Sequence, residues 1–235
     1  MARNKYPQET VDRILDTAQA LFLERGYEHT TIQDIVEGLG GMTKGAIYHH
    51  YKSKEEILEA VINRLFDGRE EALDELLDAP GLTGRERLRR SMGFTLSDPS
   101  QDQMFQVAPD LMKNPRVLAK LFEDTFYHAA PEYIQPMVEQ GTADGSIPTD
   151  QPRELSQVLA LLCNLWINPA VCHVDSREEL AARLRFLNTL LSPFGLGGLV
   201  PEMTEKLLDY QSMYQEKNPG REHPPAGSVP AGTEP

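Results

Sequence analysis

The chain is predicted to be all-α, and three observations carry the prediction. Apolar residues recur at helical spacing along nearly the whole sequence. No stretch alternates with period two through β-branched residues. Ser and Thr caps, and Gly and Pro breaks, fall where helices would start and stop.

The first helix is expected over 10–25, with Val11, Ile14, Leu15, Ala18, Leu21 and Phe22 on one face. Thr10 would be its N-cap and Gly26 the left-handed residue beyond its end. The second opens at Thr30 or Thr31, where Thr31 and Asp34 have capping-box spacing, and buries Ile32, Ile35, Val36 and Leu39. Gly40-Gly41 breaks the chain, and Thr43 can cap a short third helix reaching His49 or His50. Ser53 and Glu56 repeat the capping-box spacing ahead of a long helix striped by Ile57, Leu58, Val61, Ile62, Leu65 and Phe66. Further helices fit 83–96, 101–113, 115–141, 151–171, 176–191 and 201–215, with Pro131 and Pro136 kinking or dividing the 115–141 segment. Residues 218–235 are Pro, Gly and polar residues with almost nothing to bury, which predicts a disordered tail.

Charge divides the sequence. Residues 1–54 carry seven Lys/Arg and seven Asp/Glu, while 55–235 carry sixteen against twenty-nine and account for the formal net charge of −13. A polyanion would be repelled by the second zone and tolerated only by the first. The expected organisation is therefore an N-terminal unit over 1–54, a larger helical unit over 55–217 and the tail over 218–235. The longest apolar run, 158–167, is too short to span a bilayer. The N-terminus has no signal-peptide core, and two cysteines make no disulfide framework. A cytoplasmic protein without a membrane partner is expected.

The most informative stretch is LGGMTKGAIYHHYKSK, residues 39–54. A metal site is disfavoured because His49 and His50 are adjacent, so on a helix their side chains diverge by about 100°. Cys172, His173 and Asp175 are equally insufficient as a metal site. A phosphate loop fails because Ala46 and Ile47 stand where Lys and Ser/Thr are needed. No nucleophile–base pair or paired carboxylates stand out, so neither catalytic residues nor a cofactor are expected. Three short helices with a glycine turn instead fit a helix-turn-helix, whose third helix enters the DNA major groove. Thr43 and Lys44 would lie in its first turn, Gly45 would admit close backbone approach, and Ile47 would point to the core. Tyr48, His49 and His50 would meet phosphates or sugars, with Lys52 and Lys54 following beside the backbone. Tyr51 is expected to pack in the small core.

Residues 10–62 resemble the DNA-binding domain of the TetR family of bacterial transcription regulators. The likeness rests on Ile14, Leu15, Ala18, Leu21, Phe22, Gly26 and Tyr27, on Thr30, Thr31, Ile32, Ile35 and Leu39, and on the run from Lys44 through Leu58. The resemblance implies DNA contacts by Thr43, Lys44, Gly45, Tyr48, His49, His50 and Lys54, and by a threonine opening the second helix, Thr30 or Thr31. The Gly40-Gly41 turn is one residue longer than the family's pattern.

For the larger zone the resemblance implies an all-helical ligand-binding and dimerisation domain. Bulky adaptable residues are candidates to line a pocket for a small-molecule effector: Met92, Phe94, Met104, Phe105, Met112, Phe122, Phe126, Tyr127, His128, Tyr133, Met137 and Trp166. Leu161 and Leu165 make a second apolar side on the 151–171 helix, and Leu184, Leu187 and Leu191 stripe the next, with Phe186 and Leu190 flanking. Such helices could form half of a four-helix homodimer interface. The expected function is a ligand-responsive dimeric regulator, a repressor binding double-stranded DNA at a palindromic operator and released by its effector. The alternative is a helical protein-interaction adaptor with a degenerate DNA-binding motif.

Overall fold

The computed structural model describes residues 7–172, 174 and 176–217. The segment expected to form a tail lies outside the described residues, as do His173 and Asp175. The described chain is helical with no β-strand. In order it forms α1 (Pro7–Arg25), α2 (Ile32–Gly38), α3 (Lys44–His50), α4 (Lys54–Leu65), α5 (Arg69–Asp78) and α6 (Gly84–Ser97). There follow α7 (Pro99–Val107), α8 (Pro115–Glu123), α9 (Gln135–Ala143), α10 (Pro152–Leu161), α11 (Arg177–Leu191) and α12 (Leu199–Lys217).

Several boundaries depart from expectation for identifiable reasons. α1 is already helical at Pro7, the first described residue, so Thr10 lies inside the helix instead of capping it. The long helix after Ser53 is broken by Gly68, which takes φ +81° and starts α5. The 101–113 segment stops at Val107 because the chain must leave α-geometry before Pro109. The 115–141 segment is divided around Pro131: α8 ends at Glu123 and α9 begins at Gln135. From Asp124 to Ile134 the helix widens to π geometry and continues into α9, a register change that accommodates the absent proline N–H. A second π segment, Leu162–Trp166, closes α10.

Two apolar cores organise the packing. The first gathers Ile14, Ala18 and Phe22 of α1, Ile35 of α2, Ile47 of α3 and Ile57, Leu58 and Val61 of α4. It continues into Val107, Leu111, Val117 and Tyr214, so the N-terminal core extends past residue 54 and is shared with α7, α8 and α12. The second core is built on Leu88, Met137, Val138, Leu155, Leu159, Leu180, Leu184, Leu187 and Leu191, where α6 packs on α9 and α11 on α12. Polar ties fasten the C-terminal part of α12 to the first core. Tyr214 donates its hydroxyl to the Pro109 carbonyl at 3.1 Å, and Lys217, at the end of α12, reaches the Leu23 carbonyl of α1 at 2.7 Å.

Candidate nucleic-acid interface

The site is assembled from its caps outward. Thr31 caps α2: its hydroxyl accepts from the Asp34 amide while the Asp34 carboxylate accepts from the Thr31 amide at 2.7 Å. The Thr31 hydroxyl bond holds the Asp34 carboxyl below the usual aspartate range, with its backbone bond adding to this. That capping contribution is present above the unfolded pKa and is lost as pH falls through the depressed folded value. Arg13 of α1 donates to the Leu39 carbonyl at 2.8 Å and fastens the end of α2. Gly40 and Gly41 then take φ +53° and +98°, a left-handed pair that reverses the chain and that other L-residues adopt only with strain. Because a Cβ at Gly41 would meet nothing within 4 Å, Gly41→Ala is expected to cost purely conformational energy, about 1–2 kcal/mol. Urea denaturation of the variant checks this.

Thr43 caps α3 through the Ala46 amide at 3.3 Å. Ile47 is fully buried in the first core; burial of such a side chain is worth about 1.5–3 kcal/mol and fixes the rotation of the helix. That rotation leaves Thr43, Lys44, Gly45, Tyr48 and His49 exposed, with His50 half-buried at the edge. Lys44 and Tyr48 stand one turn apart, the ammonium 5.9 Å from the ring centroid, at the outer limit of cation–π attraction. His49 and His50 meet edge-on at 5.2 Å between ring centroids. Tyr51 turns inward onto the first core, and Met42 packs there too.

Two expected DNA-contact residues are occupied elsewhere. Thr30 is fully buried, and its hydroxyl bonds to the Gly26 carbonyl at 2.9 Å, closing the end of α1; Thr31 is the threonine left at the surface. The Lys54 ammonium binds the Tyr27 carbonyl at 2.8 Å and sits 4.0 Å from the centroid of the Tyr27 ring. Burial pushes its pKa below the usual lysine value, against the opposing pull of Glu28 and Glu55. Lys54 thus serves as a clamp between α4 and the end of α1.

The expected effector residues are scattered. Phe105 stacks on Tyr210 at 4.5 Å and Met137 is fully buried, so both belong to the packing of the fold, and Met104 packs on the first core. Met112 and Tyr127 are exposed, and Phe122 stacks on Phe126 at 5.7 Å on the same outer side as Tyr127. His128 pairs with Glu132 at 3.1 Å rather than with Glu123 or Asp124. Trp166 meets Phe186 edge-on at 6.0 Å. Of the twelve, Met92 alone is among the residues lining the cavity of about 400 Å³ that opens between α6 and α12. The dimer candidates divide likewise: Leu184, Leu187 and Leu191 are consumed by the protomer's own core, while Leu161 and Leu165 are half-buried. The apolar groups left outward are Phe186, Leu190 and Val158, of which Phe186 is 60% exposed.

Comparison with known proteins places this geometry. A family profile described as bacterial regulatory proteins, tetR family, matches residues 14–61, from α1 into α4. The HTH-type transcriptional repressor KstR2 of Rhodococcus jostii is 36% identical over 148 residues, spanning 61% of this chain and 70% of that protein. The chain belongs to the TetR family. Two further HTH-type regulators match over shorter stretches. KstR2 of Mycolicibacterium smegmatis is 35% identical over 72 residues, 31% of this chain and 35% of that protein. TtgR of Pseudomonas putida is 42% identical over 60 residues, 26% of this chain and 28% of that protein. The matched part of the chain thus spans about a third of the length of these two relatives. In fold, a TetR-family regulator from Pectobacterium atrosepticum aligns with a TM-score of 0.56 at 23% identity, over 82% of this chain and 97% of that one.

Proposed function

We propose that the protein is a homodimeric, ligand-responsive transcriptional repressor that binds a palindromic DNA operator through α3. The reading rests on one observation above the rest: buried Ile47 turns a continuous face of Lys44, Gly45, Tyr48 and His49 to solvent. A cation, a bare backbone and two ring side chains on one helical face suit phosphate positioning and base-edge contact in the major groove. This face belongs to the N-terminal zone, residues 1–54, whose charges balance, while the acidic excess lies beyond it. Thr31, Thr43 and His50 flank the face as secondary contacts. Repression and a role without catalysis agree with the names of the relatives, two of which are repressors. No described helix is long and apolar enough to cross a membrane, which agrees with a cytoplasmic regulator.

The outward side of α10 and α11 is the proposed dimer surface, centred on Phe186, Leu190 and Val158. A dimer that reads a palindrome must hold its two α3 helices about one DNA turn, 34–36 Å, apart. Fluorescence anisotropy with the DNA flanking its own gene tests the reading; absence of salt-sensitive binding would sink it. Phe186→Asp is expected to give a monomer by light scattering and to lose operator binding. Because the side chain faces solvent, the protomer should remain folded.

A further inference from the structure

Among the described helices, α12 alone places buried side chains in both cores. Leu199, Val200 and Leu208 belong to the second core, and Tyr214, further along the same helix, belongs to the first. At 1.5 Å per residue its 19 residues form a rod of about 28 Å. Polar ties hold that rod along its length. Lys206 meets Asp102 of α7 at 2.7 Å, and the Tyr210 hydroxyl donates to the Leu96 carbonyl of α6 at 2.8 Å while its ring stacks on Phe105 of α7. Tyr214 is 2% exposed, and its hydroxyl donates to the Pro109 carbonyl in the elbow of residues 108–114 between α7 and α8. That elbow reaches the N-terminal unit directly, since the Asn114 side-chain amide donates to Glu28 at 2.9 Å, just past the end of α1. Lys217 donates to the Leu23 carbonyl in the last turn of α1, where a helix has no amide of its own to offer.

We propose that α12 is a splint that holds the DNA-binding unit at one orientation on the larger unit, with Tyr214 and Lys217 as its positioning residues, and so sets which half-site spacing the dimer reads. As a statement about DNA, the proposal rests on the regulator reading above. The dimer surface lies on α10 and α11, whose buried faces belong to the second core, whereas α3 belongs to the first. The separation of two α3 helices is therefore only as definite as the angle between the cores. The backbone that passes between them after α4 turns at Gly68, φ +81°, a residue type with wide conformational freedom and little power to fix an angle. Side-chain ties must fix it instead. Loosening α12 leaves the exposed face of α3 as it is, so one half-site is bound as before. A palindrome engages both α3 helices at once, and a looser pair must first be ordered, at a cost in conformational entropy that a held pair avoids.

The test compares the full-length protein with its double variant Tyr214→Phe/Lys217→Met, which keeps the buried ring and the aliphatic stem and removes both donors. Spin labels at Glu37→Cys on α2 and Glu139→Cys on α9, both exposed, report the angle between the units without DNA. The labelled chain carries Cys163→Ala and Cys172→Ala and is diluted with unlabelled protein, so that distances within one protomer are read. The distance distribution is expected to be narrow in the parent and distinctly broader in the double variant; equal widths overturn the splint. Anisotropy is then measured on the operator footprinted in the DNA flanking its own gene, on one half-site alone, and on an operator lengthened by one base pair. The double variant should match the parent on the half-site and bind the palindrome about three- to tenfold more weakly, the scale of one or two lost hydrogen bonds. It should also lose part of the parent's preference for the original spacing. Equal losses on half-site and palindrome mean general destabilisation and overturn the positioning role. With Lys217→Arg in place of Lys217→Met, which restores a donor to the Leu23 carbonyl, part of the palindrome loss should return; no return removes Lys217 from the splint. Broader distances in a variant whose parent binds no DNA defeat the regulator reading and leave the splint standing.

Discussion

Lys44→Ala is expected to lower operator affinity by about ten- to a hundredfold, corresponding to roughly 1–3 kcal/mol for a lost base-edge or phosphate contact. The ammonium stands exposed in the first turn of α3, 5.9 Å from the centroid of the Tyr48 ring, so its removal leaves the helix and its cap intact. The melting curve should therefore overlay that of the parent. If Lys44 meets a phosphate, the slope of log K against log salt should become shallower by about one; a base-edge contact would cost affinity with little change in slope. Lys54→Met provides the contrast. Its ammonium binds the Tyr27 carbonyl and ring, so the variant should lose about 1 kcal/mol of stability, and weaken DNA binding only as far as α1 and α4 loosen. Equal DNA affinity for parent and Lys44→Ala would remove α3 from the role proposed for it.

Those two lysines illustrate what the sequence could and could not convey. Helical spacing separates Ile47 from Lys44 and Tyr48, so the exposed face of α3 was legible from periodicity and one cap. Thr30 and Thr31 were not separable in that way, since both are adjacent hydroxyl residues before the same helix. Only three-dimensional placement turns one inward to the Gly26 carbonyl and leaves the other at the surface. The same limit governs the larger unit. Periodicity correctly grouped Leu184, Leu187 and Leu191 on one face of α11, but a stripe does not say whether its partner is another helix of the same chain or of a second copy. Here the stripe meets the protomer's own core, which leaves the flanking Phe186 and Leu190 outward. Of the walls of the α6–α12 cavity, Met92 alone was among the pocket candidates, because its two faces lie more than a hundred residues apart in sequence.

The largest stability effect is expected at Gly84, the first residue of α6. A Cβ built there falls within van der Waals contact of the Gly141 amide nitrogen and the Met137 carbonyl oxygen, both backbone atoms of α9. Relief would require α6 and α9 to part, and the start of α6 is pinned against such movement. The Gly84 amide donates to the Asp144 carboxylate at 2.8 Å, the Arg85 amide to the Ser146 hydroxyl at 3.2 Å, and Gln140 of α9 to the Leu82 carbonyl at 2.9 Å. Gly84→Ala must therefore break these ties or open the second core around Met137 and Val138, and a loss of about 3 kcal/mol or more is expected. Gly93→Ala, two and a half turns along the same helix, should do the opposite. Its Cβ enters open space, so helix propensity alone applies and the variant should gain up to about 1 kcal/mol. Parallel denaturant titrations at matched protein concentration compare the pair, since a dimer's apparent stability depends on concentration. Similar stabilities for the two variants would mean that α6 and α9 do not approach as closely as the Gly84–Gly141 contact requires.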